Sequence, residues 1–123
     1  DIQDTLKFYA KTFGLQEPNI EEIEDQGVRA ALLKVGTSQL EFIQPTDTKN
    51  AISRFIENRG EGMHHLCIEV NDLQGTLDHL GANGIELVDK TPRQGLSGTI
   101  AFIHPRSTRG VLVELVDQST ARR

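Results

Sequence analysis

The chain has 123 residues, enough for one domain that buries roughly two-thirds of the surface its unfolded form exposes. Apolar residues make up 37% and charged residues 25%, as in folded globular chains, and no run approaches the roughly 18–20 apolar residues of a membrane span. With 13 Lys+Arg against 18 Asp+Glu the formal net charge is -5, which speaks against nucleic acid or an anionic membrane as partner but leaves room for an anionic small ligand.

Taken in chain order, Ile2, Leu6, Tyr9, Ala10 and Phe13 recur at helical spacing, with Asp1 as N-cap and Gly14 as terminator. The acid-rich stretch 21–27 reads as a solvated turn. Residues 28–35 and 39–43 read as strands joined around Gly36-Thr37-Ser38. A short amphipathic helix over 47–58, with Ile52, Phe55 and Ile56 on its buried side, links the first half to the second. Residues 63–70 read as a strand and 73–80 as a helix capped by Asn71 or Asp72, Asn71 and Gln74 having capping-box spacing. Strands follow at 85–88, 99–104 and 111–116. The stretch 91–98, broken by Pro92, Gly95 and Gly98, reads as a flexible loop.

The chain repeats itself. DIQDTL from Asp1 returns as DLQGTL from Asp72, an offset of 71 residues, and each copy runs on to a glycine, at Gly14 and Gly84. Each half then closes on an apolar strand carrying one glutamate, Glu41 in QLEFI and Glu114 in LVELV. Three matches in the same order argue for a duplicated module. The second module has a strand ahead of its helix, and nothing precedes Asp1 to match it. The repeat therefore predicts that the first strand of the first module is missing from this chain.

A carboxylate inside an apolar strand is costly unless it is paired, hydrogen-bonded or bound to a metal. Strand alternation puts His65, Cys67 and Glu69 on one face and His64, Leu66 and Ile68 on the other. The expectation is that Glu41 and Glu114 share a cleft with His65. The fourth corner, the counterpart of His65, would lie seven or eight residues before Asp1, much as His65 precedes Asp72. Two imidazoles and two carboxylates suit a borderline divalent ion such as Co, Mn, Ni, Zn or Fe. His64 reads as structural or as an outer partner of the site. Cys67, the only cysteine, excludes an intrachain disulfide and reads as a buried inert thiol, in keeping with a reducing compartment. His104, at the end of a strand, is a candidate for lining the cleft, whereas Arg93, Lys49, Arg54, Arg106 and Arg109 read first as solvated charges and second as cations that could meet phosphates. No GxGxxG, P-loop, zinc-finger spacing or GxSxG elbow is present.

The stretches EDQGVRAALLKVG, SQLEFIQPT, GEGMHHLCIEV and HPRSTRGVLVELV resemble the methylmalonyl-CoA epimerases of the vicinal oxygen chelate (glyoxalase/bleomycin resistance/dioxygenase) superfamily, along essentially the whole chain. The resemblance implies an α+β fold of paired βαβββ modules forming a cupped mixed sheet, here without its first strand. It implies a single domain over 1–123, with modules at about 1–46 and 63–117 and a linker helix at about 47–59. It assigns His65, Glu41 and Glu114 as metal ligands, the ion being Co2+ or Mn2+ first, with Zn2+ and Ni2+ as further candidates. It makes Glu114 and Glu41 the catalytic candidates, and places Arg93, Gly95, Ser97 and His104 near the substrate. The activity implied is interconversion of (2R)- and (2S)-methylmalonyl-CoA through an enolate, by a homodimer acting on an acyl-CoA in the cytoplasm or the mitochondrial matrix. Some members carry a glutamate on the strand after the QGV turn where this chain has Ala30. That departure leaves the second acid/base group open between Glu41, a residue of the expected missing strand, and water. The same scaffold resembles glyoxalase I lyases, extradiol dioxygenases and metal-free small-molecule-binding proteins, which are the alternatives.

Overall fold

A computed structural model describes residues 1–122 and divides the chain into two compact units, Asp1–Gly62 and Met63–Arg123. The fold is mixed α+β, with three α-helices and two sheets among the described residues. None of those helices is long and apolar enough to cross a membrane.

In unit 1, helix α1 (Ile2–Phe13) starts at Asp1, whose carboxylate accepts from the amides of Gln3 and Asp4, and stops at Gly14 in the left-handed conformation. Ile2, Leu6 and Ala10 are its buried stripe. Tyr9 packs at the margin of that core, and Phe13, expected on the buried face, is 62% exposed. The helix covers an antiparallel sheet of β1 (Glu21–Ile23), β2 (Val28–Val35) and β3 (Ser38–Pro45), in the order β1-β2-β3. Ala31, Leu33 and Phe42 face α1, and the side-chain oxygen of Gln44 accepts from the Ile2 amide at 2.9 Å. The register pairs Glu41 with Leu32, so Glu41 stands on the opposite, helix-free face of the sheet.

Two further expectations fail in this unit. The acidic stretch 21–27 is no simple solvated turn: it forms β1, paired with β2, then a 3-10 turn at Glu24–Gln26. The linker helix α2 runs over Ala51–Arg59 and not from residue 47, because Asp47 accepts from the amides of Lys49 and Asn50 and folds that stretch into a bend. Asn50 then caps the helix through the Ser53 amide. Ile52, Phe55 and Ile56 are half-buried, and no residue of α2 is fully buried.

Unit 2 runs β4 (Leu66–Val70), α3 (Leu73–Ala82), β5 (Arg93–Gln94), β6 (Thr99–Ile103) and β7 (Val113–Asp117), a βαβββ module. Its sheet has the order β4-β7-β6-β5; β4 lies parallel to β7 and the other pairs are antiparallel. In unit 1 the position corresponding to β4, along the outer edge of β3, carries no strand among the described residues. Leu73 and Leu77 of α3 are buried against Ala101, Ile103, Val113 and Leu115, each leucine contributing about 1.5–3 kcal/mol by burial. Alternation then turns Phe102 and Glu114 to the helix-free face, as it turns Glu41 in unit 1.

Of the two caps expected for α3, Asp72 is the one used. It accepts from the Gly75 amide at 3.0 Å, as the repeat with Asp1 implies. Asp72→Ala is expected to lower the unfolding free energy by about 0.5–2 kcal/mol, read from urea denaturation, whereas Asn71→Ala leaves it within about 0.5 kcal/mol. Three further boundaries differ from expectation. The strand expected over 63–70 begins only at Leu66. The strand expected at 85–88 is reduced to an isolated bridge between Leu87 and Ile103, because the amides of Val88 and Asp89 both converge on the Phe102 carbonyl and stop the ladder. The loop over 91–98 contains β5, one arm of a hairpin with β6.

Candidate functional site

The chemistry in unit 2 gathers on the helix-free face of its sheet. Glu114, at the second position of β7, is only 4% exposed, an expensive place for a carboxylate. It is held from several sides. Ser97 Oγ donates to Glu114 Oε1 at 3.1 Å, and His65 Nε2 lies 3.6 Å from the same oxygen. Cys67 sits directly beside Glu114 in the parallel register, and its side chain hydrogen-bonds the carboxylate. Burial pushes the Glu114 pKa up, but the hydrogen bonds from His65, Cys67 and Ser97 and the proximity of the His65 ring outweigh it. The carboxyl is held below its ordinary range and is ionised at neutral pH.

His65 is fixed by two ring contacts. Its imidazole meets Phe102 edge to face, with centroids 5.8 Å apart, and meets His64 in the same manner at 5.2 Å. The two Nδ1 atoms of His64 and His65 are 3.0 Å apart, so one of them carries the proton and the other accepts it. Burial and the neighbouring His65 lower the His64 pKa, with the Glu114 charge pulling the other way, so His64 is neutral at pH 7.

The remaining expected residues distribute unevenly. Arg93 places its guanidinium 5.5 Å from the Phe102 ring centroid and pairs with Asp89 at 3.0 Å, so it borders the His65–Glu114 group through that aromatic ring. Asp89 is itself anchored by the Phe102 amide at 2.9 Å. Gly95 shapes the hairpin loop: its amide donates to the Gly98 carbonyl at 2.8 Å, and a Cβ there would lie 2.6 Å from the Ile100 side chain. His104 is used differently. Its Nδ1 accepts from the Arg106 amide at 3.1 Å and caps the 3-10 turn Pro105–Ser107, within a surface network in which Arg106 forks onto Glu86 with two 2.8 Å bonds. That fork holds the Glu86 carboxyl below its usual range.

His65, Ser97 and Glu114 therefore come together, Arg93 stands at their margin, and His104 belongs to another cluster. Glu41 is half-buried at the matching place on the unit 1 sheet. Ala30 is buried on β2 and directly opposite Glu21 of β1, whose side chain therefore shares the helix-free face with Ala30 and Glu41. Cys67 corrects the sequence reading: it is exposed, on an edge strand, and bonded to Glu114. Its alternation with His65 was the signal for that side of the strand. His64 also differs, since it touches His65 directly.

Residues 1–102 match the family model of the glyoxalase/bleomycin resistance protein/dioxygenase superfamily. The chain is 39% identical over 117 residues to the uncharacterized protein YqjC of Bacillus subtilis, a match covering 94% of this chain and 84% of that one. It is 32% identical over 122 residues to the mitochondrial methylmalonyl-CoA epimerase of Dictyostelium discoideum, covering 96% and 72%. Among solved structures, a variant of Streptomyces coelicolor methylmalonyl-CoA epimerase in complex with 2-nitronate-propionyl-CoA superposes with a TM-score of 0.86 at 29% identity, covering 100% of this chain and 91% of that one.

Proposed function

The chain belongs to the glyoxalase/bleomycin resistance protein/dioxygenase superfamily, and on that premise we propose that it interconverts (2R)- and (2S)-methylmalonyl-CoA by proton transfer at C2. The observation that carries this reading is the buried, ionised Glu114, held by Ser97 and His65 on the helix-free face of its sheet. The relatives of that name support the choice of substrate.

The proton to be removed lies between a thioester and a carboxylate, and its loss builds negative charge on the thioester oxygen. Glu114 is the base for this step. Its ionised state is the form a base requires, and its hydrogen-bonded carboxylate is pre-aimed before substrate arrives. Inversion also needs a proton delivered to the other face, by a second acid or by water.

A divalent ion, Co2+ or Mn2+, belongs to the same proposal. His65 Nε2 and Glu114 Oε1 at 3.6 Å form an imidazole and carboxylate donor pair of the kind such ions take. Among the described residues, no three His, Cys, Asp or Glu side chains are grouped so as to hold an ion, so the pair is the anchor. When bound, the ion stabilises the charge that develops on the carbonyl oxygen. For Nε2 of His65 to offer a lone pair, its proton must sit on Nδ1, and the neutral His64 Nδ1 at 3.0 Å is placed to accept it. His65→Ala should weaken Co2+ or Mn2+ binding by more than the roughly 10–100-fold that loss of an outer partner costs, measured by titration calorimetry. An unchanged affinity would remove His65 from the site.

Homodimerisation is part of the reading too, with the half-exposed Leu66 and Ile68 of β4 as apolar surface for an assembly to cover. The metal-loaded protein, given one epimer of methylmalonyl-CoA, should yield both. Turnover of the hemithioacetal of glutathione and methylglyoxal, without racemisation of the thioester, would instead make it a glyoxalase-type lyase.

A further inference from the structure

Ser97 reaches Glu114 from a hairpin loop that has little to hold it. The hairpin has only two paired positions, Arg93 with Ile100 and Gln94 with Thr99, and its tip contains Gly95 and Gly98. A loop so built would leave the serine hydroxyl free to wander. The segment that follows β7 prevents this. The amide of Arg122 donates to the Ser97 carbonyl at 2.9 Å, and Thr120 Oγ1 accepts from the Thr99 amide at 2.9 Å, so the loop is gripped on both sides of Gly98. Gly98 lies against the strap itself: at its φ of +135°, a Cβ would stand 2.5 Å from the Thr120 carbonyl oxygen.

The strap is rigid at its own root. The Thr120 amide and hydroxyl both donate to the Asp117 carbonyl, at 3.0 and 3.1 Å, and the Asp117 carboxylate accepts from the Ser119 amide and hydroxyl. Asp117 is the last residue of β7, three positions after Glu114. One strand therefore carries both the carboxylate and the root of the segment that delivers a hydroxyl to it.

We propose that Gln118, Ser119, Thr120, Ala121 and Arg122 form a positioning strap, with Thr120 as the positioning residue that holds Ser97 on Glu114. The inference rests on the epimerase reading for its catalytic consequence, and on the hydrogen bonds alone for its structural one. Thr120 touches no reacting atom and acts through Ser97. A displacement of about 1 Å in a catalytic contact can cost up to 100-fold in rate, and removing one of the two grips should cost a fraction of that.

The test uses the full chain. Thr120→Val keeps the shape and removes the acceptor, and is expected to lower kcat on methylmalonyl-CoA by about five- to tenfold with KM little changed. Thr120→Ser keeps the hydroxyl and should restore kcat to within about twofold. In a Ser97→Ala background, Thr120→Val should add no further loss, because the two residues act on one contact. Independently of turnover, the side-chain carboxyl carbon resonance of Glu114 should move the same way in Ser97→Ala and Thr120→Val, and the Thr99 amide should lose protection from hydrogen exchange. A Thr120→Val loss that persists in full in the Ser97→Ala background, or a Glu114 resonance that moves only with Ser97→Ala, overturns the strap. If the wild type leaves methylmalonyl-CoA unchanged while the resonance and exchange results hold, the substrate reading fails and the strap stands.

Discussion

Glu114→Gln should slow proton exchange at C2 of methylmalonyl-CoA by about 10²–10⁴-fold, the range that a positioned general base contributes. The substitution keeps the volume of the side chain, so the close packing of β7 between β4 and β6 is undisturbed. What it removes is the negative charge that Ser97, His65 and Cys67 are arranged to hold. The buried charge also carries a desolvation cost that the amide lacks, so stability should change far less than activity. Rate and unfolding free energy measured on the same variant separate the two effects. A variant that exchanges the proton at the wild-type rate would take Glu114 out of the chemistry.

The largest effect on stability is expected on the other side of the same sheet. Leu77 is 1% exposed and packs with Leu73, Ala101, Ile103, Val113 and Leu115. Leu77→Ala should lower the unfolding free energy by about 2–5 kcal/mol, from lost burial and from the cavity left between a helix and a sheet that cannot close on it. That is a large part of the stability of an ordinary domain. Denaturant titration reads it directly, and a loss below about 1 kcal/mol would mean that this core is more plastic than its packing implies. Because Ala101, Val113 and Leu115 alternate with Phe102 and Glu114 along β6 and β7, shifts in this core should also reach the site face.

Several elements were legible from local chemistry alone. Helix α1 has the predicted ends because Asp1 and Gly14 supply both caps within the helix's own sequence. The β2–β3 hairpin follows from Gly36 between two apolar runs. The repeat carried further: it put Glu41 and Glu114 at equivalent positions, and both lie on the helix-free faces of their sheets; it left the α3 cap open between Asn71 and Asp72, and the structure uses Asp72 as it uses Asp1.

What was not legible depends on partners distant in sequence. Glu21 and Glu22 have poor strand propensity by themselves, and they form β1 with Ile23 because β2 offers an edge. Ile85 and Leu87 alternate like a strand and do pack on the core, but the Phe102 carbonyl takes two successive amides and ends the pairing. Cys67 looked like a core thiol because it lies in an apolar strand; that strand is at a sheet edge, which alternation cannot reveal. Ser97 was placed near the substrate by resemblance, whereas its bond to Glu114 spans 17 residues of sequence and the tie of its loop to Thr120, through the Thr99 amide, spans 21.

Proton transfer at C2 of methylmalonyl-CoA is the step that the proposed function gives to Glu114 on this sheet. Its most direct test is proton NMR of one epimer of methylmalonyl-CoA in deuterium oxide with the wild-type protein loaded with Co2+ or Mn2+, the metal being removed by chelation before the spectrum is recorded. Loss of the C2 proton signal, with both epimers accumulating, is expected for the wild type, and near-complete retention of that signal over the same interval for Glu114→Gln. A C2 proton that persists with the metal-loaded wild type, at protein concentrations where a known epimerase completes exchange, would contradict it.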